Sequence, residues 1–131
     1  MIFEHFAINV NDPLTIANWY VKHIELTILR QQKEPPFTTF LGDKTGRVMC
    51  ELYHRPDETI MDYKSQHPLT FHFAMETDDA NSDKLRLLEA GASLTEEQHL
   101  PDGSHLVMLR DPFGISLQLC QRGERMNQIT L

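Results

Sequence analysis

Hydrophobic and polar positions change periodicity in the same order in each half of this chain. In the first half, positions 2–10 are rich in β-forming residues and precede Asn11-Asp12-Pro13. Asp12 suits a helix N-cap, and Pro13 suits the first helical turn, where its missing N–H costs nothing. Apolar residues then recur at three- and four-residue spacing, which predicts an amphipathic helix over 13–24. Three further strands are predicted at about 26–33, 37–42 and 47–54.

The second half repeats this order. A strand is predicted over 69–77, followed by a helix that Asp78-Asp79 caps, that turns Leu85 and Leu88 inward and that ends at Gly91. Strands follow near 93–99, 104–110 and 115–121, and Asp111-Pro-Phe-Gly114 has the preferences of a type I turn between the last two. We therefore predict two βαβββ modules, 2–54 and 69–121, with a linker at 55–67 and a tail at 122–131. The length predicts that both modules belong to a single domain, 1–131.

The repeat extends to residues that can bind a metal. His-Phe-Ala occurs at His5 and again at His72, an offset of 72 − 5 = 67, and the same offset separates Glu51 from Gln118 (118 − 51 = 67). Each half thus holds a histidine followed, 46 positions later, by a side chain with a ligand oxygen. A lone strand histidine is more often an ordinary packed residue, but the shared spacing predicts one metal site made from both modules.

Alternation along the strands gives an independent test of that site. Gln118 shares a strand face with small or polar residues, while Leu117 and Leu119 occupy the opposite, apolar face. His72 is likewise on the less bulky side of its strand, and Glu51 alternates with Cys50 and Leu52, which should face the helix. The strand that contains His5 is apolar on both faces, so alternation does not place this residue.

Composition narrows the possible partners. The chain has 12 Lys and Arg against 19 Asp and Glu, with no basic stripe, so we expect no nucleic-acid binding. No apolar run has the length of a membrane span, and the first residues do not resemble a signal peptide. The two cysteines lie within apolar runs, as buried free thiols do in a reducing compartment. We expect a soluble, cytoplasmic protein without a membrane partner.

Four segments resemble the vicinal oxygen chelate superfamily, which includes glyoxalase I, the bleomycin- and fosfomycin-resistance proteins, methylmalonyl-CoA epimerase and the extradiol dioxygenases. The resemblance covers residues 2–121 and is carried by His5-Phe-Ala-Ile-Asn-Val, Cys50-Glu51-Leu52, Phe71-His72-Phe-Ala and Arg110-Asp-Pro-Phe-Gly-Ile-Ser-Leu-Gln118-Leu. It implies an α+β fold in which two βαβββ modules form an open curved barrel around a metal-binding cleft. It also implies a homodimer, and it places the metal ligands at His5, Glu51, His72 and Gln118, the last being glutamate in most glyoxalase-like members.

Such a ligand set suits a divalent ion of Zn, Ni, Co, Mn or Fe, with coordination positions left for a small-molecule substrate. One carboxylate leaves a charge of about +1 on the site, which favours substrate oxygens that gain negative charge. The resemblance implies a metal-dependent lyase or isomerase acting on a substrate that chelates through adjacent oxygens. Glu51, as the only carboxylate, is the candidate for both ligand and general base.

Other functions stay open. Gln118 could be the relic of a lost site, in a metal-free binding protein of the bleomycin-resistance type. Extradiol dioxygenase chemistry is disfavoured, because those members have a carboxylate where Gln118 stands, and a transferase of the fosfomycin-resistance type lacks a matching potassium or phosphonate pocket. Pairing the last two strands across 111–114 would place His105 opposite Cys120, where it either lines the cavity or is a partly exposed strand histidine.

Overall fold

The structure is a computed structural model that describes residues 1–126. It contains two βαβββ modules that follow one another in the chain. The elements of the first module are β1 (Phe6–Asn9), α1 (Pro13–Ile24), β2 (Thr27–Gln31), β3 (Thr39–Gly42) and β4 (Val48–Tyr53). Those of the second are β5 (Phe73–Glu76), α2 (Ala80–Glu89), β6 (Ser93–His99), β7 (His105–Arg110) and β8 (Ser116–Gln121), preceded by a short 3₁₀ turn at Tyr63–Ser65. The α+β class and the order of elements are confirmed. The chain divides into two compact units between Met61 and Asp62, within the predicted linker 55–67.

Each module contains a four-stranded mixed sheet with the same strand order. The orders are β1-β4-β3-β2 and β5-β8-β7-β6. The first and last strands of each module are parallel, whereas the remaining pairs are antiparallel. Ala7 lies opposite Glu51 in the first sheet, and Ala74 lies opposite Gln118 in the second. Because both members of this pair are shifted by 67 positions, the sequence repeat is also a repeat of strand register.

The helix α1 begins as the sequence predicts. The Asp12 carboxylate accepts a hydrogen bond from the Thr15 N–H at 3.1 Å, which satisfies one of the free amides of the first turn. The buried residues of this helix are Pro13, Ile16, Ala17 and Tyr20. α1 therefore covers the apolar face of the first sheet, where Cys50 and Leu52 are also buried.

The core-facing side of α2 differs from the prediction. Leu87 is fully buried and Leu88 partly so, but Leu85 is 54% exposed, so the inward orientation predicted for Leu85 is wrong. Ala80 and Leu87 are seven positions apart and share a face of the helix. Leu85 points about 160° away from Leu87, which is nearly the opposite side of the helix. The predicted end is confirmed, since Gly91 has φ +99° and donates to the Leu88 carbonyl.

The strand β5 is shorter than predicted. Residues preceding it form a turn in which the Thr70 N–H donates to the His67 carbonyl at 2.8 Å, so the strand begins at Phe73 instead of position 69. His72 consequently lies just before its strand, as His5 lies just before β1. The two histidines therefore occupy equivalent places, one residue ahead of a parallel strand.

The predicted turn after β7 is present and strongly bonded. Asp111 is buried, and its carboxylate accepts from the backbone N–H groups of Phe113 and Ile115, both at 2.9 Å. The Gly114 N–H donates to the Asp111 carbonyl, and Gly114 has φ +92°. The side chain and backbone of Lys64 lie against the α-carbon of this glycine. The turn thus fixes both the start of β8 and the segment that contains Lys64.

Neither helix in residues 1–126 has the length and apolar character that a membrane crossing requires. In the predicted tail 122–131, Arg125 forms ion pairs with Glu76 at 3.0 Å and with Asp78 at 2.6 Å. Residues 127–131 of that tail lie outside the described residues.

Candidate functional site

His5 and Glu51 form a close pair in the first module. Glu51 is opposite Ala7 in the parallel strands, and His5 lies two positions before Ala7, so both side chains lie on the same face of the sheet. His5 Nε2 is 3.2 Å from Glu51 Oε2, with side chains 27% and 22% exposed. Ligands bound to one ion at about 2.1 Å are separated by about 3.0–3.4 Å. The pair therefore already has the spacing of neighbouring metal ligands.

The other ring nitrogen of His5 indicates which atom would bind the ion. His5 Nδ1 lies 2.5 Å from the Glu4 carboxylate, which can only accept a hydrogen bond when ionised. A neutral ring that donates from Nδ1 directs the lone pair of Nε2 at Glu51. Two such acceptors repel each other at this distance unless a proton or a cation lies between them. Histidine ligands commonly have this outer hydrogen bond, which fixes the tautomer and the ring orientation.

Phe40 forms a wall beside this pair. It lies directly opposite Glu51 in the antiparallel strands, and its ring packs edge-on against His5 at a centroid distance of 5.4 Å. An apolar ring here limits water around the ligand pair and restricts the rotation of the imidazole.

His72 and Gln118 occupy the corresponding register positions in the second module. His72 Nδ1 is 2.8 Å from the Pro68 carbonyl oxygen, and since a carbonyl only accepts, Nδ1 must carry the proton. In the neutral ring, Nε2 is then the atom with the lone pair that could bind a metal, as at His5. Gln118 is opposite Ala74 and partly buried, and its Oε1 accepts from the Cys120 thiol at 3.4 Å. The strand register therefore relates His72 to Gln118 as it relates His5 to Glu51.

In the absence of a metal, the thiols of the two cysteines are protonated at neutral pH. Burial raises the pKa of the Cys50 thiol to about 12. Burial also raises the pKa of Cys120, and the opposing effect of Arg122 is smaller. The candidate ligands in the two modules are accordingly imidazoles, one carboxylate and one amide.

His105 does not lie where the sequence analysis placed it. It pairs with Gln121 instead of Cys120, because the connection contains five residues, 111–115, closed by the bond from the Asp111 N–H to the Ile115 carbonyl. A shift of one residue moves a side chain to the other face of a sheet. Gln121 accepts from the Ala80 N–H at the start of α2, so His105 is on the helix side and not on the Gln118 side.

On that helix side, the structure brings together three residues to which the sequence analysis assigned no shared role. Glu97, His99 and His105 each offer a ligand atom within 4.8 Å of the others. A sequence signal did exist, since Pro101-Asp-Gly103 predicts a hairpin that brings the two histidines near each other. The strand register needed to align them was missing.

Comparison with known proteins agrees with this architecture. A profile of the Glyoxalase/Bleomycin resistance protein/Dioxygenase superfamily matches residues 2–119. No curated protein matches the chain significantly.

Among solved structures, TnmS3, an antibiotic binding protein from Streptomyces sp. CB03234, is 22% identical with a TM-score of 0.70, covering 93% of this chain and 96% of that one. Lactoylglutathione lyase from Agrobacterium tumefaciens is 19% identical with a TM-score of 0.66, covering 93% and 94%. A superfamily member from Sphaerobacter thermophilus DSM 20745 is 16% identical with a TM-score of 0.67, covering 93% and 98%. At these identities the likeness establishes the fold alone. The profile match over most of the sequence shows that the chain belongs to the glyoxalase/bleomycin resistance protein/dioxygenase superfamily.

Proposed function

We propose that this protein is a metal-dependent lyase or isomerase of the glyoxalase type, in which His5, Glu51, His72 and Gln118 bind one divalent ion. The observation that carries the proposal is the hydrogen bonding of the two histidine rings. Both have Nδ1 bonded to an acceptor, and His5 Nε2 is at ligand spacing from Glu51. Such an ion, when bound, polarises adjacent oxygens of a small substrate.

Glu51 has the central role in this proposal. It is partly exposed, next to His5 and beside the ring of Phe40, so that it can reach a substrate while remaining shielded from bulk water. As the single carboxylate among the four residues, it is the group that can accept a substrate proton. Gln118 can donate or accept a hydrogen bond, but it cannot serve as a base.

Metal content and turnover of purified variants test this function. We expect wild type to hold at least one Zn, Ni, Co, Mn or Fe ion per chain, and His5→Ala and His72→Ala each to hold one ion fewer than wild type. His67→Ala, outside both pairs, is the matched control. Undiminished metal content in both of the first two variants would overturn the proposed site.

Glu51→Gln separates the base from the ligand. The amide keeps the shape and an oxygen ligand, so with metal in excess we expect the ion to be retained while turnover falls by about 10²–10⁴-fold. Substrates to screen are 2-oxoaldehyde adducts, acyl-CoA epimers and catechols. Glu58→Gln, an exposed glutamate in the segment after β4, is the control. Unchanged turnover in Glu51→Gln would rule out its role as the base.

Gln118 favours a second candidate, a metal-free protein that sequesters a small molecule. Its oxygen already accepts the Cys120 thiol, and one structural neighbour is an antibiotic binding protein. Gln118→Glu distinguishes the candidates. In a metal protein the new carboxylate should tighten metal binding, because it adds a charged ligand. In a protein without this metal site, neither Gln118→Glu nor wild type from a metal-supplemented culture should hold an ion that His5→Ala removes.

We also propose a homodimer in a reducing, cytoplasmic compartment. The dimer rests on the resemblance to single-chain superfamily members of this size, and the compartment rests on two buried free cysteines. Light scattering on a sizing column should give twice the mass of one chain. A monomer mass would contradict the dimer.

A further inference from the structure

A group of side chains that could ligate a metal lies at the turn end of the β6–β7 hairpin. His99 and His105 are directly opposite each other in the antiparallel pair. Glu97 lies two residues before His99, so the three side chains are on one face of the sheet. His99 and His105 face each other across the two strands, and Glu97 adds a third side chain from the same strand face. This arrangement can direct three ligands at one point.

This group is separate from the His72–Gln118 pair. His105 pairs with Gln121, and positions 118 and 121 of β8, which are three residues apart, lie on opposite faces. Lys84 of α2 contacts Glu97, which places the group on the face that packs against the helix. Its chemistry is therefore independent of the proposed catalytic residues.

The distances within the group suit a small cation. His105 Nε2 is 2.7 Å from Glu97 Oε1, and the two imidazole rings stack with centroids 4.1 Å apart and 17° between their planes. His105 is only 8% exposed, whereas His99 is exposed. The buried ring is thus held by its surroundings, and rotation of the exposed ring can bring all three ligand atoms to the separation of about 3.3 Å that a tetrahedral ion requires.

Lys84 shows that the site already attracts positive charge. Its Nζ lies 2.9 Å from one oxygen of Glu97 and 3.1 Å from the other, with the lysine side chain 14% exposed. An arriving ion must share or displace this ammonium group. Lys84 is therefore the resident competitor for the same carboxylate.

We propose that Glu97, His99 and His105 form a second metal site, which binds a late transition-metal ion such as Zn²⁺ or Cu²⁺ on the α2 face of the second sheet. Two imidazoles and one carboxylate are the ligands such ions prefer, and three protein ligands leave a position on the side of His99 for water. Bound metal would join the end of β6 to the start of β7 at the base of the turn that contains Pro101-Asp-Gly103.

The test uses full-length protein with the first site removed by His5→Ala and His72→Ala. Zn²⁺ is titrated against a chromophoric chelator, while the imidazole resonances of His99 and His105 are followed by NMR. We expect one zinc per chain and shifts at these two rings. His99→Ala and Glu97→Gln should each weaken binding by about tenfold or more, and Lys84→Met should strengthen it by removing the competing charge.

Glu96→Gln is the matched control, since Glu96 is the neighbour of Glu97 on the opposite face of β6. Because His99 is exposed, its replacement should leave the fold intact and the titration interpretable. The second site would be overturned if the protein with His5→Ala and His72→Ala bound no zinc. It would also be overturned if adding His99→Ala or Glu97→Gln to that protein left its zinc affinity unchanged. Failure of the proposed function alone gives a different result. In that case, zinc binding by the otherwise wild-type protein is weakened by Glu97→Gln and is unchanged by His5→Ala.

Discussion

The strongest stability prediction concerns Asp111, whose buried carboxylate organises the turn between β7 and β8. Its Oδ1 accepts from the Phe113 and Ile115 N–H groups, and Ile115 is only 1% exposed. Asp111→Ala leaves both donors without this acceptor in a place that water reaches poorly. At about 1–3 kcal/mol for each of the two buried donors left without a partner, the free energy of unfolding should fall by about 2–6 kcal/mol.

Urea unfolding followed by far-UV circular dichroism measures this loss. Since domains of this size are typically stable by about 5–15 kcal/mol, the expected change is a large fraction of the total. Asp111→Asn is the matched control, because the amide oxygen can accept both bonds without the charge, and its stability should lie between those of wild type and Asp111→Ala. Asp102→Ala, which removes one N–H acceptor in the preceding hairpin, should cost less.

The reasoning would be refuted if Asp111→Ala unfolded within about 0.5 kcal/mol of wild type, a difference typical of unremarkable surface changes. It would also be refuted if Asp111→Asn were as unstable as the alanine variant. In that case the charge, and not the two hydrogen bonds, would stabilise the turn.

Three further measurements test other parts of the structure. Gly114→Ala should destabilise the protein more than Gly46→Ala. Both glycines have positive φ, so each substitution costs about 1–2 kcal/mol of backbone strain, but only at Gly114 would the added methyl group also meet atoms of Lys64. Equal losses of stability in calorimetry would contradict this. Cys50, with a pKa raised to about 12, should resist thiol reagents at mildly alkaline pH and react in denaturant; rapid native labelling at this position would disprove its burial. The Thr15 hydrogen bonds lower the pKa of Asp12, so its contribution is present above the unfolded-state pKa near 4 and is lost as pH falls through the folded value. Asp12→Ala should therefore cost about 0.5–2 kcal/mol at neutral pH, and a cost that stayed constant into strong acid would contradict the cap.

The sequence predicted the local features because their causes are local. Asp12-Pro13 starts a helix, and Gly91 ends one, through hydrogen bonds within a few residues. Strand alternation correctly placed Cys50 and Leu52 in the core, since the two-residue period does not depend on the partner strand. The 67-residue internal repeat could also be read directly from the sequence.

Register and helix rotation required tertiary structure. The five-residue connection at 111–115 moved His105 to the helix side, which no spacing in the sequence indicated. Leu85 and Leu87 are both leucines in one helix, and only the position of α2 on its sheet decides that Leu87 is buried. Such choices depend on packing between distant segments.

By itself, the sequence determined two βαβββ modules and one histidine with one oxygen ligand in each. The tertiary structure decided that His5 Nε2 lies 3.2 Å from Glu51 and that both histidines are bonded through Nδ1. It also brought Glu97 within 2.7 Å of His105, a contact that depends on the register of β6 and β7. Periodicity specifies which face a side chain occupies, but distances between side chains are set only when turns fix how the strands align.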